Sequence, residues 1–80
     1  MSRYILEFGA PWCAPCRNLE PHLANAQVNV IKINVDSGDP RVKQYNIQSV
    51  PTVLFMEGPK VLDMCTGATQ AVIDKIKTFK

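Results

Sequence analysis

Apolar residues fall into four short runs and two helix-spaced stripes along this chain. Tyr4-Ile5-Leu6-Glu7-Phe8 is nearly unbroken and predicts a buried strand over residues 3–8, with one carboxylate inside it. Leu19, Leu23 and Ala26 then recur at helical spacing, which predicts a helix over about residues 13–26. Pro21 falls inside that helix, removes the backbone bond to Arg17 and is expected to kink it. Residues 28–35 are rich in Val and Ile and predict a second strand. Asp39-Pro40 reads as an N-cap and first helical residue, opening a short helix that ends near Tyr45-Asn46. Residues 52–56 predict a third strand, Gly58-Pro59 a turn and residues 61–65 a fourth strand. After Gly67, the set Val72, Ile73, Ile76 and Phe79 marks one face of a last helix over about residues 71–79.

The resulting order is β-α-β-α-β-β-α, an α/β fold in a single domain over residues 1–80. The first two strands, joined through a helix, are expected to run parallel with a right-handed crossover. The last two are close enough for a hairpin. Helices are expected on both faces of one four-stranded mixed sheet.

Charge and composition narrow the function classes. Nine Lys and Arg against seven Asp and Glu give a net charge of +2, with no basic run interleaved with aromatics, so no nucleic-acid partner is implied. No run approaches the length needed to cross a bilayer, so no membrane partner is expected. Met1-Ser2-Arg3 leads straight into a strand with no sign of a signal peptide. Three cysteines in that setting suggest a reducing compartment, and a cytoplasmic location is expected.

Two of those cysteines, in Trp12-Cys13-Ala14-Pro15-Cys16, follow the first strand and open the first helix. Helix starts carry unpaired N–H groups and the positive end of the dipole, and both stabilise a thiolate. One turn on, a second thiol lies on the same face and within disulfide reach. The loop so closed is too short to stabilise the fold much, which favours chemistry over stapling. Cys13 is therefore the expected nucleophile, facing solvent, and Cys16 the deeper, resolving thiol. Glu7, inside an apolar strand, is a candidate proton acceptor for Cys16, its pKa raised by desolvation. Cys65 reads as a small apolar residue on the last strand, or as a regulatory thiol near the active face. His22 lies off the apolar stripe of its helix and reads as a solvated residue.

With motif and element order in hand, the chain resembles the thioredoxin family. The likeness rests on Phe8, Ala10 and Trp12 before Cys13, on Pro15 between the thiols, on Pro21, and on Lys32-Ile33-Asn34-Val35-Asp36. It extends through Tyr45-Asn46-Ile47, Val50-Pro51-Thr52 and Gly67. The family's usual N-terminal strand and helix are missing, which leaves a chain of glutaredoxin size, similar to the trimmed thioredoxins of small genomes such as phages. Gly9 stands where a bulky aromatic residue is common, Ala14 where glycine is, and Glu7 where most members have a buried aspartate.

The resemblance implies a protein-disulfide reductase working through a Cys13–Cys16 dithiol/disulfide. Lys32 is then the partner of Glu7, and the Val50–Pro51 bond is cis against the two sulfurs. Trp12, Pro15, Val50, Pro51 and Gly67 form the substrate-docking surface. It implies no bound cofactor or metal, a monomer, disulfide-containing proteins as substrates and a thioredoxin-reductase-like electron donor. A glutathione-coupled, glutaredoxin-like enzyme is the alternative within this class. Outside it stand a metal-binding module drawing on Cys13, Cys16, Cys65 and His22, and a redox-independent docking subunit.

Overall fold

The first apolar run forms β1 (Arg3–Gly9), and every residue from Ile5 to Gly9 is buried. The reason is its place in the sheet. The structure, a computed structural model that describes residues 2–80 (Met1 lies outside them), orders the strands β2-β1-β3-β4. An inner strand covered on both faces reads as a continuous apolar run. β3 (Thr52–Glu57), the other inner strand, is likewise buried from Thr52 to Met56. The edge strands β2 (Asn29–Asn34) and β4 (Lys60–Thr66) carry exposed residues, among them Ile31, Val61 and Met64.

Chain connections fix the strand directions. β1 runs through α1 (Ala14–Ala24) into β2 and pairs with it in parallel, as a helical crossover requires. The Gly58-Pro59 turn returns β3 into an antiparallel β4, with Gly58 at φ 55°. β1 and β3 are antiparallel, so the sheet is mixed. A bulge at Phe55/Met56 shifts the pairing with β4.

Two cores result, one on each face. Leu19 and Leu23 of α1, with Val72 and Ile76 of α3 (Gln70–Thr78), cover Ile5, Val53 and Phe55. On the other face Leu6, Phe8, Ile33, Leu54 and Met56 pack against Val42 and Tyr45, at and beside α2 (Arg41–Gln44), and against Ile47. The alternation of Ile5 and Glu7 against Leu6 and Phe8 therefore sends the carboxylate to the α1 face.

Several boundaries move, each for a capping reason. α1 starts at Ala14, because Cys13 has extended geometry and acts as N-cap. It passes through Pro21 and stops at Ala24, where the Pro21 carbonyl accepts from both the backbone and side chain of Asn25. Asp39 Oδ1 accepts from Arg41 N at 2.9 Å, the cap its sequence predicted, though the helix behind it is a single turn. α3 begins one residue before its predicted start, capped by Thr69, whose hydroxyl accepts from Val72 N.

Candidate active site

The C-terminal end of β1 delivers a short loop, Ala10 to Cys13, to the first turn of α1. Four contacts fix its course. Cys13 N donates to Ala10 O (3.1 Å) and Val35 N to Gly9 O (3.0 Å). Arg17 Nη2 donates to Pro11 O (2.7 Å). Trp12 Nε1 donates to Asp36 Oδ2 (2.8 Å), which holds the indole in place although it is 66 % exposed.

Cys13 and Cys16 form a disulfide with Cα atoms 5.3 Å apart. Cys13 Sγ also accepts from Cys16 N at 3.2 Å, so the N-cap atom of α1 is itself a disulfide sulfur. Pro15, exposed at the second helical position, has no N–H to add. One expectation needs correcting. Cys13 does not face solvent with Cys16 beneath it; they are 4 % and 6 % exposed, equally buried. In the disulfide, Cys13 Sγ turns in over the helix start to meet both Cys16 Sγ and Cys16 N.

The Val50–Pro51 peptide bond is cis, and Pro51 is fully buried. Gly67, at φ 83°, donates its N–H to Pro51 O (2.9 Å) and so ties the end of β4 to this loop. Only glycine takes that conformation without strain. Trp12 and Val50 line one groove of about 160 Å³ together with Val35, Ile47, Gln48 and Ser49. Pro15, Pro51 and Gly67 are not among its lining residues, and Pro51 is buried beneath the surface. Reasoning from sequence missed Gln48 and Ser49 there; their position just before Val50-Pro51 was the available signal.

A second opening lies along Cys16. It is a cleft of about 360 Å³ lined by Glu7, Gly9, Cys16, Glu20 and Lys32, with Ala10, Pro11, Ile33 and Asn34 around them. Glu7 is 5 % exposed, and its Oε2 has no hydrogen-bond partner. Burial pushes its pKa above the usual carboxylate range, the Lys32 charge pulls it down and the Glu20 charge pushes it up. Glu7 and Lys32 are register partners on neighbouring parallel strands. The close ion pair expected between them is nevertheless not formed among the described residues, because Lys32 lies on an edge strand and is exposed. Glu20 was missed from sequence. It lies four residues after Cys16, on the same helical face, and that spacing was the signal.

The remaining candidates lie apart. Cys65 is a free, half-buried thiol packed against the α1/α3 core. His22 is half-buried in the last turn of α1. Among the described residues no three His, Cys, Asp or Glu side chains gather to hold a metal ion, so the ligand set of a metal module is not assembled. No helix there is long and apolar enough to cross a membrane.

Known proteins share this architecture. The thioredoxin family model matches residues 1–78. A thioredoxin of Synechocystis is 36 % identical over 70 residues, covering 80 % of this chain and 65 % of the relative. Thioredoxin-T of Drosophila melanogaster is 32 % identical over 78 residues, covering 90 % of this chain and 50 % of its own length. The chain thus spans from about half to two thirds of these relatives. The X-ray structure of Fasciola hepatica thioredoxin superposes with a TM-score of 0.83 at 29 % identity, covering 99 % of this chain and 82 % of that one. With the family model matching nearly end to end and the sheet order and disulfide in place, the chain belongs to the thioredoxin family.

Proposed function

We propose that this protein reduces protein disulfides by thiol–disulfide exchange through Cys13 and Cys16. One observation carries the reading: Cys13 Sγ caps α1 and accepts the Cys16 N–H, with the second sulfur one turn away. A charge-assisted hydrogen bond and the helix dipole both favour thiolate over thiol at Cys13. In the reduced protein this thiolate attacks one sulfur of a substrate disulfide. A mixed disulfide forms and the first substrate thiolate leaves. Cys16 then gives its proton to Glu7 and attacks Cys13 Sγ. The Cys13–Cys16 disulfide forms, the second substrate thiolate leaves, and two electrons have passed to the substrate.

The exposed indole of Trp12 and the groove it shares with Val50 suit an extended, partly apolar peptide around the target disulfide. Substrates are accordingly disulfide-containing proteins, met by a monomer in a reducing compartment such as the cytoplasm. The dithiol is regenerated by a thioredoxin-reductase-like donor. Lys32 tunes Glu7 through space, since no close ion pair joins the two. The test is Cys16→Ser, which should accumulate a stable mixed disulfide on Cys13 when mixed with a disulfide protein. If no adduct appears by mass spectrometry, the assigned roles are wrong.

A further inference from the structure

Gly9 lies in β1, and its backbone does not call for glycine: only Gly38, Gly58 and Gly67 among the described glycines have positive φ. Space calls for it instead. A Cβ at this position would stand 2.6 Å from Glu7 Oε2, 3.2 Å from Cys16 Sγ and 3.4 Å from Glu7 Cδ. The carboxylate and the sulfur therefore both border the volume an ordinary side chain would fill. Glutamate, one methylene longer than aspartate, needs that room to bring its carboxyl to Cys16. The same missing side chain borders the cleft along Cys16, whose volume of about 360 Å³ far exceeds the ~30 Å³ share of one water molecule.

We propose that Gly9 is a positioning residue for the resolving step: its missing side chain seats the Glu7 carboxylate against Cys16 and opens a water route from that carboxylate to solvent. The inference rests on Glu7 accepting the Cys16 proton. The step balances: the Cys16 S–H bond breaks, its proton passes to Glu7 Oε2 and its electron pair forms the bond to Cys13 Sγ. The substrate thiolate leaves, and the proton then exits through water in the cleft. The groups facing Glu7 are Lys32 from β2 and Glu20 and Cys16 from α1, while its β3 partner is the uncharged Val53. Glu7 Oε2, buried and without a hydrogen-bond partner, is free to take a proton from Cys16.

The test compares wild type, Gly9→Ala, Glu7→Asp, the double variant and Glu7→Gln. Reduced protein is mixed with a disulfide peptide, and acid-quenched mass spectrometry follows formation and decay of the Cys13 adduct across pH. Gly9→Ala should leave adduct formation unchanged, slow its decay by roughly tenfold and displace the pH midpoint of decay. Glu7→Asp should slow decay similarly by leaving the carboxyl short. The double variant should decay no more slowly than Glu7→Asp alone, because the smaller acid makes room for the methyl. Decay in Gly9→Ala at the wild-type rate and pH midpoint overturns the proposal, as do multiplicative losses in the double variant. Should Gly9→Ala fail to fold, Glu7→Asp must still slow decay and the double variant must fold; either failing refutes the proposal. An unaffected Glu7→Gln protein instead refutes Glu7 as acceptor, which separates the two failures.

Discussion

The two flanks of the disulfide are built from different materials. On one side, Trp12, Val35, Ile47 and Val50 line a small, mostly apolar groove around an exposed indole. On the other, Glu7, Glu20 and Lys32 line a larger, charged cleft that reaches Cys16. Apolar surface that recognises extended peptides needs no ionisable group, whereas a resolving thiol must lose a proton and needs an acceptor near it. On the function proposed above, recognition and proton handling would divide between two sides of one sulfur pair. Substitutions on the first side should move affinity, and those on the second should move pH dependence.

Five outcomes test this division. Removal of the shared element comes first: Cys13→Ser should abolish disulfide reduction while the protein stays folded, since the disulfide closes too short a loop to stabilise it much. Glu7→Gln follows, with an expected loss of roughly tenfold or more in turnover near neutral pH. The same variant should gain stability. Because burial raises the folded pKa of Glu7, the native state holds that proton more tightly than the unfolded chain does. The resulting stabilisation is complete below the ordinary carboxylate range and is lost as pH rises through the raised folded value. Thermal denaturation of Glu7→Gln and wild type should therefore agree near pH 4 and diverge at pH 8, where the variant should gain on the order of 1 kcal/mol, or about 4–8 °C. A lower melting temperature at pH 8 would contradict a buried, unpartnered carboxylate.

Trp12→Ala comes next. It should lower kcat/KM for a protein disulfide by roughly fivefold through KM, leaving the pH profile in place. A displaced profile would mean that the two flanks are not separate. The smallest effects belong to the charges around Glu7. Lys32→Met should move the acid limb of the profile upward and Glu20→Gln downward, each by less than about one pH unit, since exposed charges act through water. Shifts of the same sign from both would contradict the through-space assignment.

Most of the fold was legible because the inner strands carry their own signal. β1 and β3 are apolar on both faces, and the Gly58-Pro59 turn sets the β3–β4 pairing locally. Helix ends were less legible, because Cys13 and Thr69 act as caps through atoms whose placement depends on the fold. Cys13, Cys16 and Glu7 could be picked from residue type and context alone. The approach of Glu7 and Cys16 to the same space beside Gly9 could not, since it joins β1 to α1 in space. Lys32 illustrates the opposite error. Register places it beside Glu7, but an edge strand lets its ammonium stay in water.

Arg3 sits at the opposite end of β1 from the loop that carries Cys13, and its guanidinium donates to Lys80 O at 3.4 Å and lies over the Phe79 ring. Both ends of the described chain thus meet at one pole, about 20 Å of strand away from the sulfurs. A polypeptide spliced on at either end, or a surface grafted there, attaches behind the molecule and leaves the reactive pole free to sweep for partners. Two such domains joined tail to tail should each keep full turnover, like tools held by their handles.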